Sequence, residues 1–341
     1  TLYSLIFSNF TEKNRGTAIG FFSLGVGLGA AVGPSFGGLL LKTVGWPWIF
    51  YINVPLTLLA MACILVSTSK VSAKNSDKQV LQSSTLILGV GLVIFMYTIN
   101  LLNHYAIFSA EIIGLLTLVA ALVLIFIFKE KHTNNPTIPK SLMLNKKFAG
   151  VSFAFAIEQF CFSSSYVALG LYMQNILAYS AYYSSMIFLA LSSIFALIST
   201  FSGMIVGKVG INRPALLGFV LLAAGTYSFL LLPEQITALQ LIVILLILGA
   251  GMGFAFSALN TGMMSTVKEQ EIGIASSVFV MVALVGNALG VVISTLMITT
   301  YGMSVSFNLT GIISLVGAGL IVKMMRLKPV VESIPAVESK G

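Results

Sequence analysis

Residues 17–41 read TAIGFFSLGVGLGAAVGPSFGGLLL, and they set the class of protein to which the whole chain is assigned. These 25 residues contain no charged side chain, and a helix needs about 20 such residues to cross a bilayer. Small residues recur along them, so one face of the predicted helix is reduced to backbone and a neighbouring helix can approach closely. The pattern singled out here consists of five of its glycines and a proline that bends the helix: Gly20, Gly29, Gly33, Pro34, Gly37 and Gly38.

The composition of the whole chain also indicates a membrane protein. Of its 341 residues, 57% are hydrophobic and 8% are charged, and the mean hydropathy is +1.02. A soluble domain has about 25% charged residues, so this chain cannot build a surface that faces water and needs lipid around it. Apolar runs predict ten helical spans, at 17–41, 49–68, 84–103, 109–128, 148–175, 184–207, 214–232, 237–264, 273–300 and 305–325.

The basic residues lie almost entirely in one alternating set of connecting segments. That set holds 17 of the 18 Lys and Arg residues, and the other set holds Lys42 alone. Because basic loops remain in the cytoplasm, we expect the first set and the C-terminus to be cytoplasmic. The net charge of +8 then reflects topology beside anionic headgroups, and no nucleic-acid partner is expected.

Two stretches of the chain align with each other at an offset of 257 residues, EKNRGTAIGFFSLGVGLGAAVGPSF from Glu12 and EQEIGIASSVFVMVALVGNALGVVI from Glu269. The matching small residues are Gly16 and Gly273, Ala18 and Ala275, Gly29 and Gly286, Ala31 and Ala288, and Gly33 and Gly290. The second copy is the fifth of the six spans predicted within 148–325, so the helix at 17–41 is interpreted as a fifth helix too. We therefore expect three further helices and most of a fourth before Thr1, roughly 100 residues. Chance coincidence in Gly-rich helices is the alternative.

Four segments resemble motifs of one transporter family. Residues 17–41 resemble motif C, the antiporter motif of drug exporters of the major facilitator superfamily. WPWIFYINVP at 46–55 is similar to the start of the sixth helix in its fourteen-helix drug:proton antiporter branch. FSGMIVGKVGINRP at 201–214 is similar to that family's second-half cytoplasmic motif, although Gly207 and Lys208 stand where an acidic residue is frequent. LYMQNILAYS at 171–180 fits the end of its ninth helix.

The resemblance implies an all-α integral membrane protein with the major facilitator fold, in which two extra helices link two six-helix halves. Residues 1–68 would be the end of the first half, 69–147 the linker helices and central cytoplasmic loop, 148–325 the second half and 326–341 a cytoplasmic tail. It implies a monomer in a bacterial cytoplasmic membrane that exports lipophilic, often cationic drugs in exchange for protons. Export of one specific metabolite, coupling to Na⁺, and a membrane-embedded enzyme or scaffold remain alternatives.

Glu158 is the only acidic residue deep inside a predicted span. It lies about 15 Å from the start of the span at 148–175, where a carboxylate costs at least about 2.5 kcal/mol. No Lys or Arg of this sequence lies deep inside a predicted span to offset that cost; Lys323 falls only at the cytoplasmic end of the span at 305–325. Desolvation favours the protonated form, so Glu158 is predicted to carry a proton or bind a cation. The alternatives are a permanently protonated side chain that bonds a neighbouring helix, or one paired with an Arg outside this sequence.

Aromatic and amide side chains near Glu158 are candidates for a substrate pocket, since aromatic faces beside a buried acid can hold a lipophilic cation. They are Phe155, Gln159, Phe162, Tyr172 and Asn287. For Asn287, hydrogen bonding between helices is the favoured alternative. Glu111, at the outer end of the span at 109–128, is a second proton candidate, and a solvated interfacial acid is the simpler interpretation.

Other chemistries lack the residues that they need. Cys63 and Cys161 both fall in predicted spans, which supports neither a disulfide framework nor a zinc site. The sequence contains no GxxxxGK[ST] motif for ATP. It also lacks a Ser-His-Asp arrangement and an HExxH motif, and its two histidines fall on opposite sides of the predicted membrane. We therefore expect no enzymatic activity, metal or cofactor, and the expected partners are a small lipophilic substrate, protons or Na⁺, and the lipid bilayer.

Overall fold

The structure, a computed structural model, describes residues 36–68, 83–102, 109–133, 139–231, 236–268 and 271–326, together with Gly25, Gly29, Val32, Gly33 and Tyr105. All regular structure in these ranges is helical. The long helices are α1 (Asn53–Thr68), α2 (Ser83–Leu101), α3 (Ala110–His132), α4 (Lys146–Leu171), α5 (Ala181–Val209), α6 (Asn212–Ser228), α7 (Ala238–Ser265), α8 (Ile272–Tyr301) and α9 (Met303–Arg326). Residues 36–43, Pro47–Tyr51 and Lys140–Met143 form shorter helices.

The predicted spans from 49–68 onward each coincide with one of these helices, with ends that differ by a few residues. Side-chain caps account for the earlier starts. The Asn145 side chain accepts hydrogen bonds from the backbone N–H groups of Lys147 and Phe148, both at 3.1 Å, so α4 begins before residue 148. Ser180 accepts one from Tyr183 N at 3.2 Å at the start of α5. Of the span at 17–41, the described positions are helical.

Seven helical segments in the described part of the chain are long and apolar enough to cross a membrane: Pro47–Val66, Ala110–His132, Ala181–Val209, Asn212–Leu231, Ala238–Ser265, Ile272–Tyr301 and Met303–Met325. The chain is therefore a multi-pass membrane protein. Helix α4 is not among the seven, although its 26 residues give it a length of about 39 Å. It is less apolar because it carries Glu158, Gln159 and three consecutive serines, Ser163–Ser165. All five of these side chains are buried.

Helices α4 to α9 share one hydrophobic core. The most extensive packing joins α5 to α7, α4 to α8, α6 to α7 and α6 to α9. Glycines bring the backbones together, as expected for helices in a bilayer. A Cβ atom at Gly251 of α7 would lie 2.7 Å from Leu222 N of α6, and one at Gly286 of α8 would lie 2.6 Å from Ala156 O of α4.

Helices α2 and α3 form a pair that lies beside this core. They pack against each other, and α2 also contacts α8. Side chains of α3 that point away from α2, including Leu124 and Phe128, are exposed at 67% and 66%. Such a face is compatible only with lipid or with another apolar surface.

The end of α4 departs from ideal helical geometry. Tyr172–Ile176 form a π-helical turn, in which Leu177 N donates to Tyr172 O at 3.1 Å. Ala178 follows with a φ of 54°, a left-handed conformation that costs a residue with a side chain about 1 kcal/mol. This turn directs the chain back into α5, and single π turns of this kind often mark functional positions.

Candidate functional site

Glu158 lies near the middle of α4, about 18 Å from the start of the helix and about 20 Å from its end. Its side chain is completely buried, with 0% exposure. Neither carboxyl oxygen has a hydrogen-bond partner among the described residues. A buried carboxylate without hydrogen bonds loses its hydration without compensation, so burial favours the neutral, protonated acid.

The helix face that carries Glu158 packs towards α9. Residues on the same face, Ala154, Cys161 and Ser165, are buried as well. Ser314 of α9 donates a hydrogen bond to the sulfur of Cys161 at 3.3 Å, one helical turn from Glu158. Glu158 is therefore enclosed inside the bundle formed by α4 to α9 rather than placed at its surface.

Further towards the C-terminal end of α4, a cluster of hydroxyl groups joins α4, α8 and α9. Ser164 of α4 and Thr310 of α9 share a hydrogen bond of 2.6 Å. Ser294 of α8 is 2.8 Å from Ser306 of α9, and it also donates to Ser164 O at 3.2 Å. Because these hydroxyls bond to one another, the cluster fastens three helices together and explains why so many serines are buried.

The predicted substrate residues Phe155 and Phe162 belong to a line of aromatic rings. The Phe155 ring stacks on Phe279 of α8 with 4.3 Å between centroids, and the Phe162 ring stacks on Tyr166 at 4.8 Å. Phe195 of α5 meets Phe162 edge to face at 5.8 Å. Phe155 is fully buried, whereas Phe162 and Tyr166 are only partly buried. The partly buried rings are thus the ones that a ligand could reach.

Gln159 and Asn287 lie on the two sides of the α4–α8 interface. A Cβ atom at Gly286, the residue beside Asn287, would be 3.0 Å from Gln159 Cβ. The backbone carbonyl of Asn287 accepts a hydrogen bond from Ser163 at 2.9 Å. The structure therefore places both predicted residues where two helices pack closely.

Two predicted site residues lie away from Glu158. Tyr172 follows Glu158 by 14 residues, about 21 Å along the helix, and its ring packs edge to face on Phe229. Glu111 is exposed in the first turn of α3, where a carboxylate also interacts favourably with the helix dipole. Among the described residues, the predicted site residues therefore do not form a single pocket.

The glycine-rich motif contacts the second half of the chain. A Cβ atom at Gly38 would lie 2.7 Å from Ser185 Cβ of α5. The ammonium group of Lys42 lies 4.5 Å from the centre of the Tyr182 ring, within cation–π range. Added Cβ atoms at Gly29, Gly33 and Gly37 would meet no described atom within 4 Å. Gly20 and Pro34 lie outside the described residues.

A polar contact at the beginning of α4 was not predicted from the sequence. The Asn145 side chain, which caps α4, also donates to Thr266 O at the end of α7 at 2.7 Å. Ser141 hydrogen-bonds the carboxylate of Glu271, just before α8. An asparagine just before the predicted start of a helix is an N-cap signal that could have identified Asn145, but its partner on α7 is visible only in the structure.

The arrangement around Glu158 can take part in proton transfer and noncovalent binding. A neutral buried carboxyl group can release one proton and regain it when water reaches it. Among the described residues, no group of three or more His, Cys, Asp or Glu side chains could hold a metal ion.

Comparisons with known proteins agree with one another. The profile of the Major Facilitator Superfamily matches residues 1–287. The chain is 26% identical over 288 residues to the "Multidrug transporter protein MdtP" of Bacillus subtilis, covering 83% of this chain and 52% of that protein. It is 27% identical over 299 residues to the "Multidrug resistance protein Stp" of Mycobacterium tuberculosis, covering 85% and 54%. Against the "Quinolone resistance protein NorB" of Staphylococcus aureus it is 25% identical over 298 residues, covering 85% and 63%. The chain thus spans between about half and two thirds of the length of these relatives.

Proposed function

The chain belongs to the Major Facilitator Superfamily, and from that premise we propose that it acts in proton-coupled export of lipophilic, cationic drugs across a bacterial cytoplasmic membrane. The names of its relatives, two multidrug proteins and one quinolone resistance protein, support this choice of substrate class. Because the chain corresponds to only part of each relative, the activity, the substrates and the monomeric state of the whole protein are all included in the proposal.

The proposed domain organisation follows the expected two halves. Residues 148–325 supply the second half, residues 1–68 supply the end of the first, and the α2–α3 pair within 69–147 links them. The contact of Gly38 with Ser185 then joins the two halves. Because Gly38 has no side chain, its backbone can pack closely against Ser185, and close packing at a glycine suits an interface that takes two alternative arrangements. We place the C-terminus in the cytoplasm from the distribution of basic residues.

The observation that carries the proposal is the buried carboxyl group of Glu158. An ionisable residue inside a membrane protein is expensive, and it normally marks a substrate or ion pathway. The hydroxyls of Ser164, Thr310, Ser294 and Ser306 satisfy one another, whereas the carboxyl group of Glu158 and the hydroxyl of Ser165 have no hydrogen-bond partner among the described residues. A purely structural acid would be expected to donate to a neighbouring helix. Glu158 is therefore better suited to cycle between a protonated, enclosed state and an ionised state that water reaches.

The enclosure of Glu158 favours a proton over a drug as its direct ligand. A proton can arrive through a transient opening that admits water, whereas a drug-sized molecule needs a cavity of about 300 Å³ or more. Drug binding is better assigned to the partly buried rings of Phe162 and Tyr166, with Phe155 and Gln159 behind them. The resulting cavity would be completed by the first half of the protein.

The available energy is consistent with such a cycle. A proton moving down a membrane potential of about 150 mV releases roughly 3.4 kcal/mol of electrical energy. Each unit of pH difference adds about 1.36 kcal/mol. Exchange of one proton for one monovalent cation moves no net charge and draws on the pH difference alone. The stoichiometry therefore determines which of the two gradients drives export.

The test uses the full-length protein in liposomes loaded with a fluorescent lipophilic cation. Efflux is measured for wild type, Glu158→Gln and the control Glu111→Gln under an imposed pH gradient, an imposed Na⁺ gradient, and neither. Glutamine has nearly the size of glutamate but does not ionise, and the thermal unfolding of each variant shows whether it is folded. We expect wild type and Glu111→Gln to respond to the pH gradient and Glu158→Gln to lose that response.

Each other outcome contradicts one part of the proposal. Equal pH-driven efflux by wild type and Glu158→Gln would make Glu158 structural. Loss of the response in Glu111→Gln alone would move the proton site to α3. A response to the Na⁺ gradient rather than to the pH gradient would identify Na⁺, and not the proton, as the coupling ion. If folded wild-type protein moves no cationic dye, the multidrug assignment is wrong and a specific cargo is favoured.

A further inference from the structure

An apolar cleft separates the α2–α3 pair from the second-half bundle. It has a volume of about 370 Å³ and opens to the surface of the molecule. Its walls include Gly91 and Phe95 of α2, Leu122 and Phe126 of α3, Ala156 of α4 and Val282 of α8. Every residue in these walls is apolar, so the cleft offers no partner to a charged or hydrogen-bonding ligand.

The cleft covers a similar range of depth on the helices that line it. On the expected topology, its walls run from about 6 Å (Ile87) to about 18 Å (Phe95) from the cytoplasmic end of α2, and from about 9 Å (Phe126) to about 20 Å (Val119) from that of α3. Ala156 lies about 15 Å from the cytoplasmic end of α4, and Val282 about 15 Å from that of α8. Half of a hydrocarbon core of about 30 Å is about 15 Å. The cleft therefore lies mainly in the cytoplasmic leaflet and ends near the middle of the bilayer, where acyl chains rather than water surround the protein.

Basic residues stand at the cytoplasmic ends of helices that line the cleft. Three helices that line the cleft, α3, α4 and α8, each have an exposed lysine at or just before that end: Lys129, Lys146 and Lys268. Lys129 stands one helical turn beyond Phe126, on the face of α3 that lines the cleft. Of the described acids in this region, Glu271 bonds Ser141 and Glu130 is buried; Lys129 and Glu130 each already have a partner, but an ammonium group has three donors and can bind more than one group. Basic residues beside grooves between helices on this side attract anionic headgroups.

We propose that this cleft is a lipid site that holds one acyl chain of an anionic phospholipid of the cytoplasmic leaflet, with the headgroup bound by Lys129, Lys146 and Lys268. The apolar walls select the hydrocarbon chain, and the three lysines select the negative headgroup. The bound chain would fill the space between the α2–α3 pair and α8, and so hold the pair against the bundle. This proposal concerns a structural ligand and does not depend on drug transport.

A fluorescence experiment on the full-length protein tests the site. Every native tryptophan of the full-length protein, including Trp46 and Trp48, is replaced by phenylalanine, and a single tryptophan is introduced either in the cleft, as Phe95→Trp, or on the exposed face of α3, as Phe128→Trp. Each protein is placed in phosphatidylcholine vesicles to which a small fraction of a brominated lipid is added. The brominated lipid is either phosphatidylglycerol or phosphatidylcholine. Bromine quenches tryptophan only when the chain lies beside it, so the two fractions report which headgroup brings a chain into the cleft.

We expect brominated phosphatidylglycerol to occupy the cleft preferentially and to quench Phe95→Trp more than brominated phosphatidylcholine does, and the two lipids to quench Phe128→Trp equally. Replacing one lysine by glutamine should lower the preference up to about fivefold, the change that corresponds to about 1 kcal/mol per basic residue. The triple glutamine variant should abolish the preference. Gly91→Leu should abolish the extra quenching by filling the cleft, because a Cβ atom there lies 3.7 Å from Leu122 Cβ.

Three results would overturn the proposal. Equal quenching of Phe95→Trp by both lipids would show that the three lysines do not select the headgroup. No quenching by either lipid would mean that protein, not lipid, fills the cleft. A preference for phosphatidylglycerol at Phe128→Trp as strong as at Phe95→Trp would mean general enrichment around the protein. Thermal unfolding of the Gly91→Leu and triple glutamine variants ensures that a lost signal comes from folded protein.

Discussion

Gly286→Ala tests whether α4 and α8 approach each other through the missing side chain. The new Cβ atom would lie 2.6 Å from Ala156 O and 3.0 Å from Gln159 Cβ, whereas carbon atoms in good contact are about 3.5–4.0 Å apart. The two helices must therefore move apart by roughly 0.5–1 Å. Overpacking of this kind costs about 1–3 kcal/mol, and the better helix propensity of alanine returns up to about 1 kcal/mol. The expected net loss of stability is up to about 2 kcal/mol.

Gly319→Ala on α9 is the matched control. A Cβ atom at Gly319 meets no described atom within 4 Å, so this variant gains the same helix propensity without the overpacking. The difference between the two variants isolates the packing cost of about 1–3 kcal/mol. For a protein of 150–250 residues, 1 kcal/mol shifts the melting temperature by about 2–4 °C, and for a larger protein by less. Thermal unfolding of the purified variants in detergent should separate them by up to about 12 °C, with Gly286→Ala the less stable.

A Gly286→Ala variant that melts at the same temperature as Gly319→Ala, or higher, would refute the close approach. Gly290→Ala is a second test of the same interface. Its Cβ atom would meet the carbonyl of Phe160 and the hydroxyl of Ser163, so we expect it to lose stability in the same way.

Two further predictions concern the ends and the interior of α4. Asn145→Ala removes the cap of α4 and the bond to Thr266 O, so thermal unfolding should show a loss of stability of about 1–2 kcal/mol. Asn145→Asp keeps the cap but not the donor and should lose less stability. Equal losses of stability in the two variants would contradict the capping role. In a Cys63→Ser variant, a membrane-permeant thiol reagent should label Cys161 only after unfolding, because Cys161 is fully buried. Labelling of the native variant as fast as of the unfolded variant would show that the α4–α9 interface is open.

The sequence predicted the helices well because each depends on a long apolar run. The spans at 237–264 and 273–300 differ from α7 and α8 by only one residue at each end. The depth of Glu158 was also predictable, since position along a helix converts directly into distance. Helix α4 was expected as a span because of its long apolar run, and its buried polar residues explain why it is less apolar than its neighbours.

The neighbours of each side chain could not be predicted from the sequence. Tyr172 and Glu158 both fall in the span predicted at 148–175, so their separation of about 21 Å was available from the sequence, but the contact of the Tyr172 ring with Phe229 was not. The bond between Asn145 and Thr266 joins residues 121 positions apart, and no local pattern indicates such a pair. The lipid cleft likewise arises from four helices whose mutual placement is a property of the packed bundle.

The polar interior of α4 has a consequence for the synthesis of the protein. A helix enters the bilayer from the translocon according to its apolarity, and a central acidic residue opposes insertion by about 2.5–3.5 kcal/mol. Each Leu, Ile, Phe or Val returns only about 0.3–0.6 kcal/mol, so the carboxyl of Glu158 offsets several of them. The apolar helices α3 and α5, directly before and after α4, are the natural partners to retain it while it is inserted. Assembly of the second half would then begin as a group of helices rather than one helix at a time.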